Sequence, residues 1–168
     1  MTTSTKQPDT RGLAGLTIGE TQICSVGQSH LIYRGYEIAD LAAHATFEEV
    51  AFLLLVGHKP SSAELDSFKA EINEYANPHP SVIELVQQIA RTSPDTHPMS
   101  ALRTAISAAS HLDPDCEDNS PEAELRKSKR LMASIPAMIG THQRALEGKE
   151  AVAPDPSLSH AANLLLCI

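Results

Sequence analysis

The chain of 168 residues has no tryptophan, and aromatic side chains make up only 4% of it. Cations are also short, with 13 Lys and Arg against 21 Asp and Glu, a formal net charge of −8. That balance lacks the basic clusters that nucleic-acid phosphates require, and it disfavours an anionic membrane surface. Cysteine is limited to Cys24, Cys116 and Cys167. An odd number at wide spacings, without a CxxC pair, reads as reduced thiols of a cytoplasmic protein, not a disulfide framework or a zinc site. No long apolar run exists. The longest, Val50 to Val56, is far too short to span a bilayer. The polar start MTTSTKQPDT has no apolar segment of a signal peptide and too little Arg for a good transit peptide.

What remains is ordinary for a globular domain: 42% hydrophobic, 20% charged and long enough to bury a sizeable core. Residues 1–12 read as a disordered tail. Residues 13–36 are rich in β-branched and aromatic residues broken by Gly15, Gly19, Gly27 and Gly35, which predicts two or three short strands with turns at the glycines.

From residue 37 to 168 the pattern is helical. Thr46 with Glu49 and Ser61 with Glu64 have the spacing of capping boxes. Phe47, Val50, Ala51, Leu54 and Leu55 form the expected apolar face behind the first, and Gly57 with Pro60 marks its end. Leu65, Phe68, Ile72 and Tyr75 line the next helix. Val82, Leu85, Val86, Ile89 and Ala90 line a third, and Met99, Leu102, Ile106 and Ala109 a fourth. Pro121 fits the first turn of a long helix reaching about Leu146, expected to kink at Pro136. A last helix opens at SLSHAANLLL. Its run Leu164 to Ile168 has no glycine, basic turn or polar tail, a pattern that suits truncation, although natural C-termini can be apolar too.

Chemistry is hard to find in this pattern. None of His30, His44, His58, His79, His97, His111, His142 and His160 forms the HExxH pair of a zinc helix, and each reads as a surface or packed histidine. His97, just before Pro98, is placed to bond free backbone groups at a helix start. Asp113, Asp115, Glu117 and Glu124 fall on ligand positions of an EF-hand loop, but its obligatory glycine is replaced by Asp118. The segment reads as a solvated acidic loop. GLAGLTIGE lacks the fingerprint of a phosphate loop, and Ser25 and Ser29 lack a nucleophile elbow. Arg126, Lys127, Lys129 and Arg130 read as a solvated face, with Glu122 one turn before Arg126 as its ion partner.

Taken as a set, other residues carry a family pattern. They are Gly12-Leu13, Gly19-Glu20-Thr21, Tyr33-Arg34-Gly35-Tyr36, Ile38 to Leu41, Ala45-Thr46-Phe47-Glu48-Glu49-Val50, Leu53-Leu54-Leu55, Gly57 and Pro60. Further on come His97-Pro98-Met99, Leu102-Arg103-Thr104 and SHAANLLL. From Arg11 on, the chain resembles the N-terminal part of citrate synthases, most closely the shorter bacterial and archaeal type that includes 2-methylcitrate synthases.

The resemblance implies a mainly α fold: helices of the family's large domain with a short β-rich N-terminal segment, incomplete because the C-terminal half and small domain are absent. It implies a reaction that joins acetyl-CoA or propionyl-CoA to oxaloacetate, in which an Asp and a His enolise the thioester, a second His holds the oxaloacetate carbonyl, and arginines bind carboxylates. No position here matches the catalytic His and Asp motifs. No catalytic, cofactor-binding or metal-binding residue is therefore carried over, and the acyl-CoA is a substrate, not a cofactor. The helices near Pro98–Ser110 and Pro121–Leu146 resemble those that meet their twins across the family's homodimer interface. The expectation is an inactive fragment with exposed apolar surface. Its rivals are one chain of a split synthase whose catalytic half is a separate polypeptide, and a non-catalytic protein that pairs with a full-length synthase. Acetyl and propionyl specificity stay open.

Overall fold

A three-stranded antiparallel sheet and seven helices make up the described part of the chain, residues 19–27 and 30–168 of a computed structural model. The expected tail, Gly12, Leu13, Gly15 and Ser29 lie outside those residues. The strands are β1 (Cys24–Val26), β2 (Leu31–Tyr33) and β3 (Tyr36–Glu37), in the order β1-β2-β3. Helices follow as α1 (Ile38–His44), α2 (Phe47–Val56), α3 (Ser62–Glu74), α4 (Pro80–Thr92), α5 (Pro98–Ser110), α6 (Pro121–Leu146) and α7 (His160–Cys167). The fold is mainly α, as expected. The helical reading from Glu37 is divided at Ala45 and Thr46, where the backbone turns extended and α2 gains its own cap.

Local chemistry explains most boundaries. Tyr33 pairs with Tyr36 across a two-residue turn in which Arg34 and Gly35 both take positive φ, 47° and 90°. That is the backbone a primed hairpin turn demands. Arg34 Nη2 donates to the Leu54 carbonyl near the end of α2, at 3.1 Å, which ties the sheet to the first buried helix. Both capping boxes form in full: Thr46 with Glu49 on α2, and Ser61 with Glu64 on α3. Gly57 closes α2 in the left-handed conformation. Proline occupies the first turn of α4, α5 and α6, where its missing N–H costs nothing.

Helix α6 is the spine. Ala133 joins one core cluster with Ala51, Phe52, Phe68 and Ile72. Five residues later Met138 joins a second with Val82, Val86 and Ala105. Phe52 and Phe68 meet edge to face at 5.5 Å, a geometry worth about 0.5–1.5 kcal/mol beyond burial. Pro136 lies buried inside α6, which continues through it.

Two expected apolar faces are rotated. On α2 the buried residues are Glu48, Ala51, Phe52 and Leu53, while Phe47 is exposed. On α5 they are Ala101 and Ala105, with Leu102 and Ile106 half-buried and Met99 exposed. Alanines at the α5 contact allow close approach, so the long side chains flank the seam and do not fill it.

Candidate functional site

A cavity of about 260 Å³ with a mixed polar and apolar wall lies where α2, α3, α6 and α7 meet residues 154–159. Its sequence origin is the acidic start of α2. Glu48 lies three and four residues before buried Ala51 and Phe52, on the inward face. The residue is only 4% exposed. Oε1 accepts the backbone N–H of His160 at 2.8 Å, in the first turn of α7. Ser159 caps the same helix by accepting from Ala162 N–H at 3.2 Å. A negative charge at a helix N-terminus satisfies an orphan donor and opposes the positive end of the dipole.

The His160 ring stacks on Phe47 with centroids 4.4 Å apart and planes 5° from parallel. Burial pushes its pKa below the ordinary 6.5, partly opposed by the charge of Glu48. Asn163, 5% exposed, fastens the preceding loop. Its Oδ1 accepts from Asp155 N–H at 2.7 Å, and its Nδ2 donates to the Asp155 carbonyl at 2.9 Å. Asn73 Nδ2 donates to the Pro156 carbonyl at 3.1 Å. These bonds end on backbone groups of the loop and α7. The cavity is walled by groups that hold chain segments in place, and no nucleophile–base pair is set up in it.

A second hollow, about 300 Å³ and largely apolar, lies between the start of α4, α5 and α6, with Val82, Ile106 and Met138 in its wall. Its cationic rim is already paired. Arg130 Nε and Nη2 reach the two oxygens of Asp113 at 2.9 and 2.7 Å. Arg126 grips Asp115 the same way at 3.0 and 2.6 Å. Arg126 and then Arg130 hold the Asp115 carboxyl well below the usual carboxylate range.

These pairs correct two expectations. The acidic loop is not free in solvent, because two of its carboxylates are bound by arginines of α6. Arg126 is forked onto Asp115 as its partner. The basic residues of α6 are likewise engaged: Lys129 pairs with Glu71 at 2.6 Å, and Lys127 with Glu124 at 2.7 Å. With guanidinium groups on Asp113 and Asp115 and a capping role for Asp118 on Ser120, no set of three potential metal ligands converges among the described residues.

His97 does what its position promised: Nδ1 accepts from Met99 N–H at 3.2 Å. His79, also before a proline, repeats the motif on α4 by accepting from Ser81 N–H at 3.3 Å. The three cysteines are free thiols: Cys24 and Cys116 are half-buried, and Cys167 is buried against α6. Sequence reasoning missed Glu48 and Asn163. The signal available was an acid at inward helical spacing from Ala51 and Phe52.

Comparison with known proteins identifies the scaffold. A family model described as citrate synthase, C-terminal domain, matches residues 12–168. The chain is 38% identical over 160 residues to a citrate synthase of Haloferax volcanii, covering 92% of this chain and 42% of that protein. It is 37% identical over 163 residues to a 2-methylcitrate synthase of Mycobacterium tuberculosis, covering 95% and 40%. The crystal structure of citrate synthase from Pyrobaculum aerophilum superposes with a TM-score of 0.84 at 32% identity, covering 92% of this chain and 40% of that one. A Thermoplasma acidophilum citrate synthase in a ternary complex gives 0.85 at 22% identity, a likeness of fold. The chain thus spans about two fifths of the length of these relatives. No helix among the described residues is long and apolar enough to cross a membrane. With the family model matched from residue 12 to 168 and relatives above 30% identity over more than nine tenths of its length, the chain belongs to the citrate synthase family.

Proposed function

We propose that this chain supplies helical scaffold to a citrate-synthase-type acyltransferase and carries none of its catalytic groups. The whole enzyme joins acetyl-CoA or propionyl-CoA to oxaloacetate, giving citrate or 2-methylcitrate and free CoA. That chemistry needs an acid–base pair beside the thioester and donors aimed at the developing enol oxygen. The observation that supports a scaffold role is the use of the polar side chains around the α2–α7 cavity. Glu48, Asn73 and Asn163 are spent on backbone N–H and C=O groups. The two-fifths coverage of the relatives is consistent with catalytic residues located elsewhere.

In this reading the acid–base groups lie in the part of the fold that these residues do not span, and α5 and α6 pair with their copies in a dimer. The exposed Met99 on α5 and Leu131 on α6 suit such a contact. The test is thioester turnover by the purified chain. Acetyl-CoA or propionyl-CoA is incubated with oxaloacetate, and free CoA is separated by chromatography. No release above the uncatalysed rate is expected. Steady release proportional to protein overturns the scaffold reading.

A further inference from the structure

Two opposite charges line the α2–α7 cavity without forming an ion pair. Glu48 reaches it from α2 and Lys69 from α3. Glu48 is buried, and its Oε1 accepts the His160 N–H, a neutral donor that leaves the negative charge in place. Lys69 is half-buried and has no ion pair among the described residues, whereas Lys127 and Lys129 on α6 each hold a glutamate. Glu49, next in sequence to Glu48, is taken by the N–H and hydroxyl of Thr46. The rest of the wall includes apolar Ile72, Ala133, Pro136 and Leu158. A buried anion and a half-buried cation, each short of a counter-ion, favour one ligand that supplies both.

We infer that this cavity binds a small zwitterion, an α-amino acid with a short aliphatic side chain, its ammonium on Glu48 and its carboxylate on Lys69. The inference goes beyond the scaffold reading, because it assigns binding and no chemistry. The ligand's ammonium donates charge-assisted hydrogen bonds to the Glu48 carboxylate, and the Lys69 ammonium donates them to the ligand's own carboxylate. Other charge types fit less well. A dicarboxylate sets one anionic end against Glu48, and a simple amine leaves Lys69 facing a second cation. No set of three potential metal ligands converges among the described residues, which argues against a metal ion. The volume of about 260 Å³ is just below the roughly 300–1,000 Å³ of common small-molecule pockets, so the side chain must be short. Its aliphatic part has Ile72, Ala133, Pro136 and Leu158 to pack against.

The experiment titrates the full chain with L-valine by isothermal calorimetry. Two analogues run beside it: isovalerate, which lacks the ammonium, and isobutylamine, which lacks the carboxylate. Wild-type chain should bind L-valine saturably, and each analogue should bind weaker by about tenfold or more. Glu48→Gln keeps an acceptor for the His160 N–H and removes the charge. Lys69→Met keeps an unbranched stem and removes the charge. Each should weaken L-valine by about tenfold or more while keeping its far-UV circular dichroism. Lys59→Met, at an exposed lysine over the Tyr36 ring and outside the cavity, should bind as the wild type does. Three results overturn the inference: no saturable binding of L-valine by the folded wild-type chain, unchanged affinity in either folded charge variant, or either analogue binding as tightly as L-valine. If Glu48→Gln loses its fold, Lys69→Met decides. Heats of binding are read without turnover, so CoA release by the chain would defeat the scaffold reading and leave this result standing.

Discussion

The carboxylate of Glu48 accepts the backbone N–H of His160, 112 positions further along the chain, at 2.8 Å. One side chain of α2 thereby caps α7. Replacing Glu48 with Ala leaves that donor without its partner in a largely buried place, at a cost of about 1–3 kcal/mol. Glu48→Gln keeps an acceptor oxygen and should lose less. Urea unfolding measures the difference, and hydrogen exchange should place the lost protection in α7.

His160 gives α7 a pH dependence. Burial lowers its folded pKa below the ordinary 6.5. Between the two values the unfolded chain binds more protons, so stability rises with pH there. It is complete above about 6.5 and falls as pH drops toward the folded value. Protection of α7 amides should weaken across that window. His160→Phe keeps a ring against Phe47 without a titrating group and should flatten the dependence.

At Gly140, α6 lies directly against the backbone of Cys167 on α7. A methyl group there meets the backbone of Cys167, which cannot swing aside as a flexible side chain could. Gly140→Ala should destabilise by about 1–3 kcal/mol through overpacking. It should also expose Cys167, whose thiol pKa burial now raises. Alkylation mapped by peptide mass should show Cys167 slow in the wild type and faster in the variant.

Glu64 offers a local electrostatic check. Bonds from the Ser61 N–H and hydroxyl, and then from His58, lower its pKa from 4.5 to about 2. Because the folded value is depressed, its contribution is present above 4.5 and is lost as pH falls toward 2. Carboxyl NMR should find that titration near 2 in the wild type and shifted back up in Ser61→Ala.

How much of this was legible in the sequence follows from distance along the chain. The boxes Thr46–Glu49 and Ser61–Glu64 join residues three apart, the bond from Met99 N–H to His97 joins residues two apart, and each forms as read. Arg126 and Arg130 read as a solvated face from sequence, because nothing local brings Asp115 and Asp113 back onto α6. On α2 the apolar spacing places Phe47 on the inner face, whereas the fold buries Glu48 and leaves Phe47 exposed. The energetics reverse only when the His160 N–H and ring arrive from α7. Gly140 had no sequence signal, since its neighbour is the backbone of another helix. The family motifs were legible as a set because scaffold patterns are distributed along the chain.

The central claim is that these residues frame the chemistry and do not perform it. Turnover of acetyl-CoA or propionyl-CoA with oxaloacetate by the purified chain tests it most directly. The account predicts no CoA release above the uncatalysed rate. Release by this chain alone, at a rate proportional to its concentration, would contradict it.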